Sequence, residues 1–150
     1  MSGPQDALAL PVDEGAAALL YNALKLKDFF PEFSAEHAQK LFPRSGLYEY
    51  PKGALVVEQG EPGHDLFVIQ AGCLVVGVAK DGGTELVATL GPGDVIGEIA
   101  LLMKTPRTAT AVAAEASRIY RLSYQDLNYL LEHNLALAEH LRVLARQRLK

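Results

Sequence analysis

Between Leu47 and Ser123 short apolar or β-branched runs are interrupted, at regular intervals, by segments that turns use readily. These are Pro51-Lys52-Gly53, Gly60-Glu61-Pro62-Gly63, Ala71-Gly72, Lys80-Asp81-Gly82-Gly83 and Gly91-Pro92-Gly93-Asp94. Glycine supplies positive φ and proline fixes φ near its turn value, so no long helix passes through this region. The runs left between them predict strands at Leu47–Tyr50, Ala54–Glu58, Asp65–Gln70, Cys73–Ala79, Glu85–Leu90, Thr108–Ala114 and Arg118–Ser123. Strands so spaced predict a mainly β domain, an antiparallel barrel or double-sheet jelly roll.

The flanks have a different period. Residues 1–14 mix Gly, Pro, Ala and acids without periodicity and predict a loose tail. Leu19, Leu20, Ala23, Leu24 and Leu26 give Gly15–Lys27 an amphipathic helical pattern capped by Asp13, and Phe29, Phe30 and Phe33 follow around Pro31. Ser34 is placed to cap a second helix over 35–42. Ser123 can cap Tyr124–Glu132, after which His133-Asn134 weakens the run and Leu137, Leu141 and Leu144 form a stripe. Docking on the barrel is favoured for that stripe over pairing with a second chain, because the repeat is short for a coiled coil. The expected organisation is one domain over 15–150, with helices in 15–42, a β-barrel in 47–123 and two C-terminal helices in 124–150.

Several classes of function lack support. A chain of 150 residues predicts one domain with its own core, and lone Cys73, expected as an inert thiol mid-strand, makes no intramolecular bridge. The net charge of −4 provides no basic footprint for nucleic acid. The N-terminus lacks the positive segment of a signal peptide, and no apolar run approaches the ~20 residues of a membrane helix, which predicts a soluble, cytoplasmic protein. His37, His64, His133 and His140 fall in predicted helices or, for His64, a turn facing solvent. They assemble no metal set with facing carboxylates. No nucleophile motif appears, so no enzyme is expected.

One stretch reads as built for a ligand, Gly97-Glu98-Ile99-Ala100-Leu101-Leu102-Met103-Lys104-Thr105-Pro106-Arg107-Thr108-Ala109-Thr110. Gly97 permits close backbone approach, and Glu98, Ile99 and Ala100 open a short run of helix formers whose free amides suit a phosphate. Pro106 biases Thr105 out of helical geometry, returning the chain to an extended path with Arg107 beside the helix start. A guanidinium engages two phosphate oxygens at once. Glu98 would repel an anion alone, but suits a ligand carrying ribose hydroxyls beside its phosphate. Taken singly, Glu98 also reads as a dipole-complementing helix acid and Arg107 as a surface charge; the spacing favours the ligand reading.

The stretch resembles the phosphate-binding cassette of the cyclic nucleotide-binding domain family at Gly97, Glu98, Ala100, Leu101, Pro106, Arg107, Ala109 and Thr110, and the resemblance extends from about Leu26 to Arg148. It implies a regulatory switch for cAMP or, as a close second, cGMP, without a metal, in a monomer or weak homodimer that acts on a downstream protein. It implies that Arg107 and the helix-start amides hold the cyclic phosphate and Glu98 the ribose 2′-hydroxyl. Thr108 is placed where a threonine can meet a guanine. Ala88 stands where a larger apolar residue often packs on the base, and Arg148 aligns with an arginine that covers the purine, its alternative being a plain surface charge. Two further readings are a fragment of a catabolite-activator-type transcription factor, whose DNA-reading segment is not in this chain, and a partner-binding module without a ligand.

Overall fold

The structure is a computed structural model and describes residues 7–24, 26, 32–97, 104–132, 135–136, 138–139, 142–143 and 146. Its elements run β1 (Leu8–Leu10), α1 (Glu14–Ala23), α2 (Ala35–Leu41), β2 (Gly46–Tyr50), β3 (Leu55–Val57), β4 (Leu66–Ala71), β5 (Leu74–Lys80), β6 (Gly83–Leu90), β7 (Val95–Ile96), β8 (Thr110–Ala113), β9 (Ser117–Leu122) and α3 (Tyr124–Glu132). A five-stranded sheet ordered β1-β2-β9-β4-β7 packs on a four-stranded sheet ordered β3-β8-β5-β6, every pairing antiparallel.

The period-two alternation of strand side chains assigns each residue to one of two cores. In β4, Leu66 and Val68 join Leu47, Val95, Tyr120 and Leu122 under the helices, with Ala16, Leu20, Ala38, Phe42 and Leu127 across from them. Phe67 and Ile69 point the other way, into the inter-sheet core with Tyr50, Leu74, Ile96, Ala111, Ala113 and Ile119. The uninterrupted apolar run Leu66–Ile69 is thus what a strand covered on both faces requires, whereas β6 at the sheet edge leaves Leu86 and Val87 exposed.

The caps form as the sequence predicts. Asp13 Oδ1 accepts from the Ala16 amide at 2.7 Å, Ser34 Oγ from the His37 amide at 3.2 Å and Ser123 Oγ from the Gln125 amide at 3.2 Å. His37 Nδ1 accepts from the Ser34 amide at 3.1 Å, completing a capping box in which histidine takes the acid's place. The helix α3 is further anchored by Asp126, which is buried and accepts from the Arg44 amide at 2.9 Å and Ser45 Oγ at 2.7 Å.

Some expectations are corrected. Residues 8–10 are not a loose tail: Leu8–Leu10 pair with Leu47–Glu49, and Leu10 packs on the helical core, which secures the segment. Strand β7 has only Val95-Ile96 and comes too soon after a Gly-Pro-Gly turn for its pattern to register. Strand β8 begins at Thr110, not Thr108. Cys73 lies half-buried before β5, where its amide donates to Ser117 Oγ at 3.1 Å. Phe29, Phe30, Leu137, Leu141 and Leu144 lie outside the described residues; beyond Glu132, positions such as Leu135, Ala138 and Arg146 are helical.

Tyr50 is fully buried and its hydroxyl has no hydrogen-bond partner among the described residues. Burial raises its pKa to about 12, with nearby Arg121 opposing the rise. Burial likewise raises Tyr120, reinforced by Asp126. A raised phenol stays neutral in the folded chain after the unfolded chain has ionised. Its contribution is therefore whole below the ordinary tyrosine value and is lost as pH climbs through the folded one. Urea denaturation across this alkaline window is expected to show stability falling by about 2–3 kcal/mol for Tyr50 alone. Tyr50→Phe is expected to flatten that fall and to be neutral or up to ~1 kcal/mol more stable at neutral pH, since it removes an unsatisfied group. A loss above about 1 kcal/mol would show that the hydroxyl is satisfied.

Candidate functional site

Among the described residues of the Gly97–Thr110 stretch, Arg107 is the charged residue that the fold buries. It comes directly after Pro106 and is drawn into the fold by its backbone: its amide donates to the Glu61 carbonyl at 2.9 Å, and its carbonyl accepts from the Gly60 amide at 2.8 Å. The residue is only 9% exposed. Its Nη2 donates to the Asp65 carbonyl at 3.0 Å, and Cζ lies 5.6 Å from the centroid of the Phe67 ring.

Two glycines make room for this burial. A Cβ on Gly63 would stand 3.3 Å from both Nε and Nη2 of Arg107. At Gly97, where φ is +105°, a Cβ would stand 2.6 Å from the Asp65 carbonyl oxygen and 2.8 Å from Arg107 Nη1. The Gly-rich turn and the cassette glycine are therefore walls of one slot for a guanidinium. Glycine at 97 satisfies both the left-handed backbone and the close approach.

The next layer is Asp65. While its carbonyl holds Arg107, its carboxylate accepts from Arg121 Nε at 2.7 Å and from the Tyr124 amide at 2.9 Å, with Arg121 Nη2 at 2.6 Å. One residue thus joins the arginine slot to the strand β9 and the first turn of α3. The Tyr124 ring packs on His64 at a centroid separation of 5.6 Å, and Lys104 Nζ donates to its hydroxyl at 3.1 Å. His64 is consequently half-buried against α3, not turned to solvent.

A row of small and branched side chains crosses the four-stranded sheet. Register places Val57 opposite Ala111, Ala111 opposite Val76, and Val76 opposite Ala88, so the four share one face of the four-stranded sheet. Val57 and Ala111 are buried, whereas Val76 and Ala88 are half-exposed. Gln59 secures this region from the side: its amide donates to Thr110 Oγ1 at 2.9 Å and its Oε1 accepts from the Ala79 amide at 2.7 Å.

Of the sequence-predicted residues, Gly97 and Arg107 come together. Ala88 lies opposite Val76 in the four-stranded sheet, and Thr108 is exposed immediately after Arg107. Glu98, Ile99, Ala100 and Arg148 lie outside the described residues. Sequence reasoning missed Gly63, Asp65, Lys104 and Tyr124 as parts of the arrangement. Gly63 reads as turn chemistry and Asp65 as a strand opening, and no local pattern ties either to a residue some forty positions on.

A family model for the cyclic nucleotide-binding domain matches residues 47–134. The chain belongs to this family. A cAMP-dependent protein kinase regulatory subunit from Mycosarcoma maydis is 42% identical over 93 residues, covering 62% of this chain and 18% of that protein. A CRP-like cAMP-activated global transcriptional regulator from Mycobacterium tuberculosis is 33% identical over 101 residues, covering 66% of this chain and 45% of that one. The chain thus spans less than half the length of these curated relatives. A cyclic nucleotide-binding domain from Methylobacillus flagellatus superposes with a TM-score of 0.74 at 26% identity, covering 95% of this chain and 84% of that one. Among the described residues of this cyclic nucleotide-binding domain, no cluster of His, Cys, Asp or Glu is placed to hold a metal, and no helix is long and apolar enough to cross a membrane.

Gly97→Ala is expected to lower stability by about 1–3 kcal/mol, because it places a side chain at a positive φ and against a carbonyl oxygen. Urea denaturation checks this; an unchanged midpoint would mean that the slot relaxes freely.

Proposed function

We propose that the chain binds a cyclic purine nucleotide, cAMP in preference to cGMP, and acts as a ligand-operated switch on a downstream protein in the cytoplasm. The observation that carries this reading is the buried guanidinium of Arg107, set between Gly63 and Gly97 over Phe67. A planar cation sunk among backbone and an aromatic face suits a single compact anion, and a cyclic phosphodiester is one.

In this reading Arg107 and the amides of Ile99 and Ala100 hold the phosphate, Gly97 admits it and Glu98 takes the ribose 2′-hydroxyl. The base lies toward the row that contains Val76 and Ala88, with Thr108 at its edge and Arg148 over its face. The small Ala88 gives less contact than a larger side chain would. Preference for cAMP is supported by two of the relatives, a cAMP-dependent kinase subunit and a cAMP-activated regulator. The kinase relative favours a protein partner. Similarity to the transcriptional regulator favours a second reading, the sensor portion of a DNA-binding protein.

Switching is derived from the Asp65 connection. A ligand that draws on Arg107 acts on the residue whose carboxylate holds the Tyr124 amide, so the start of α3 and the chain that follows it respond to occupancy. The shift is bounded by the ligand's preference for one arrangement over the other.

Arg107→Ala is expected to weaken cAMP binding by about tenfold or more, the loss of a charge-assisted contact worth ~1.5–3 kcal/mol. Calorimetric titration with cAMP and cGMP checks both affinity and preference. Binding by the variant as tight as the parent's would reject the phosphate site, and tighter binding of cGMP would reverse the preference. Amide exchange over 124–150 is expected to slow on saturation; unchanged protection would reject the switch.

A further inference from the structure

Lys104 is the one non-glycine among the described residues with positive φ, at +57°. That conformation is disfavoured for a residue with a Cβ and is ordinarily given to glycine where a helix ends. An exposed lysine gains nothing from it unless its side chain is used, and here it is used. Lys104 Nζ donates to Tyr124 Oη at 3.1 Å and stands 5.4 Å from the centroid of the same ring. The opposite demands on Tyr124 come from the turn that walls the arginine slot, through the His64 ring and the Asp65 carboxylate on its amide.

We infer that Lys104 is a positioning residue for nucleotide binding, a clamp that fixes the cassette's exit against the first turn of α3 and so presents Arg107 in order. This rests on the cyclic nucleotide reading and deepens it. The left-handed turn at Lys104 leads through Thr105-Pro106 directly to Arg107. Arg107 is fixed on its far side by the Gly60 and Glu61 backbone. Without the clamp, the exit must be ordered when the ligand binds, and that ordering is subtracted from affinity. The clamp needs a cation and a ring, so arginine can replace lysine while methionine, with a similar stem, cannot.

Calorimetry with cAMP tests this in five proteins: parent, Lys104→Arg, Lys104→Met, Tyr124→Leu and the Lys104→Met/Tyr124→Leu double variant. Lys104→Met is expected to bind about threefold or more weakly, Lys104→Arg within about twofold of the parent. In the Tyr124→Leu background, Lys104→Met is expected to have no further effect. Parent-like affinity for Lys104→Met, or additive effects in the double variant, overturns the clamp. Amide exchange over 124–132 in nucleotide-free protein provides an arm independent of the ligand. Lys104→Met is expected to speed it about threefold, and an unchanged rate also overturns the clamp. Failure of the parent to bind cAMP or cGMP would reject the nucleotide reading, leaving the exchange arm to decide the clamp.

Discussion

The burial of one guanidinium organises this domain. Charged side chains enter a protein interior only where geometry and hydrogen bonding compensate for lost water. Among the described residues, Arg107 is met by a carbonyl on Nη2, main-chain bonds on both sides and a phenylalanine face. Such an arrangement requires that nothing else occupy the space. Gly63 and Gly97 meet that condition from two segments distant in sequence, and the β-roll brings them together.

The scaffold explains why they meet. The uninterrupted apolar run Leu66–Ile69 is fixed inside the five-stranded sheet, between β9 and β7, by cores on both faces. Asp65 directly precedes it and inherits that fixity. Its carbonyl and carboxylate then serve different clients, Arg107 on one side and Arg121 with Tyr124 on the other. The part of the fold with cores on both faces thus ends at the point where the arginine slot begins.

Much of this was legible in the sequence because local rules and the global fold agree. Turn chemistry marked most of the strands, Asp13, Ser34 and Ser123 marked helix starts, and the Gly97–Thr110 stretch singled out Gly97 and Arg107, which the fold brings together. What was not legible is long-range. A strand at Leu8–Leu10 forms because β2 offers an edge and Leu10 finds the helical core, facts absent from its own composition. The β6 pattern likewise conceals that Leu86 and Val87 face solvent, since a register shift opposite Val76-Gly77 disturbs the alternation. His64 looked like a solvent-facing turn residue, but α3 sets the Tyr124 ring against it. The roles of Gly63, Asp65 and Tyr124 belong to the same class, since each depends on a contact across many residues.

The helix α3 is held at its first turn from two directions. Asp65 takes the Tyr124 amide from the side of the arginine slot, while Asp126 reaches to the Arg44 amide and Ser45 Oγ on the side of the N-terminal helices. Ser45 Oγ also accepts from the Ser123 amide at 2.8 Å, so the second anchor grips the turn before the helix as well. Displacing the helix start bodily would break both sets, leaving buried polar groups unsatisfied. A motion that keeps both anchors and redirects the chain beyond Glu132 breaks neither. Under the proposed switch, a pivot about residues 123–126 therefore breaks fewer contacts than translation of α3, because both anchors of the helix start can be kept.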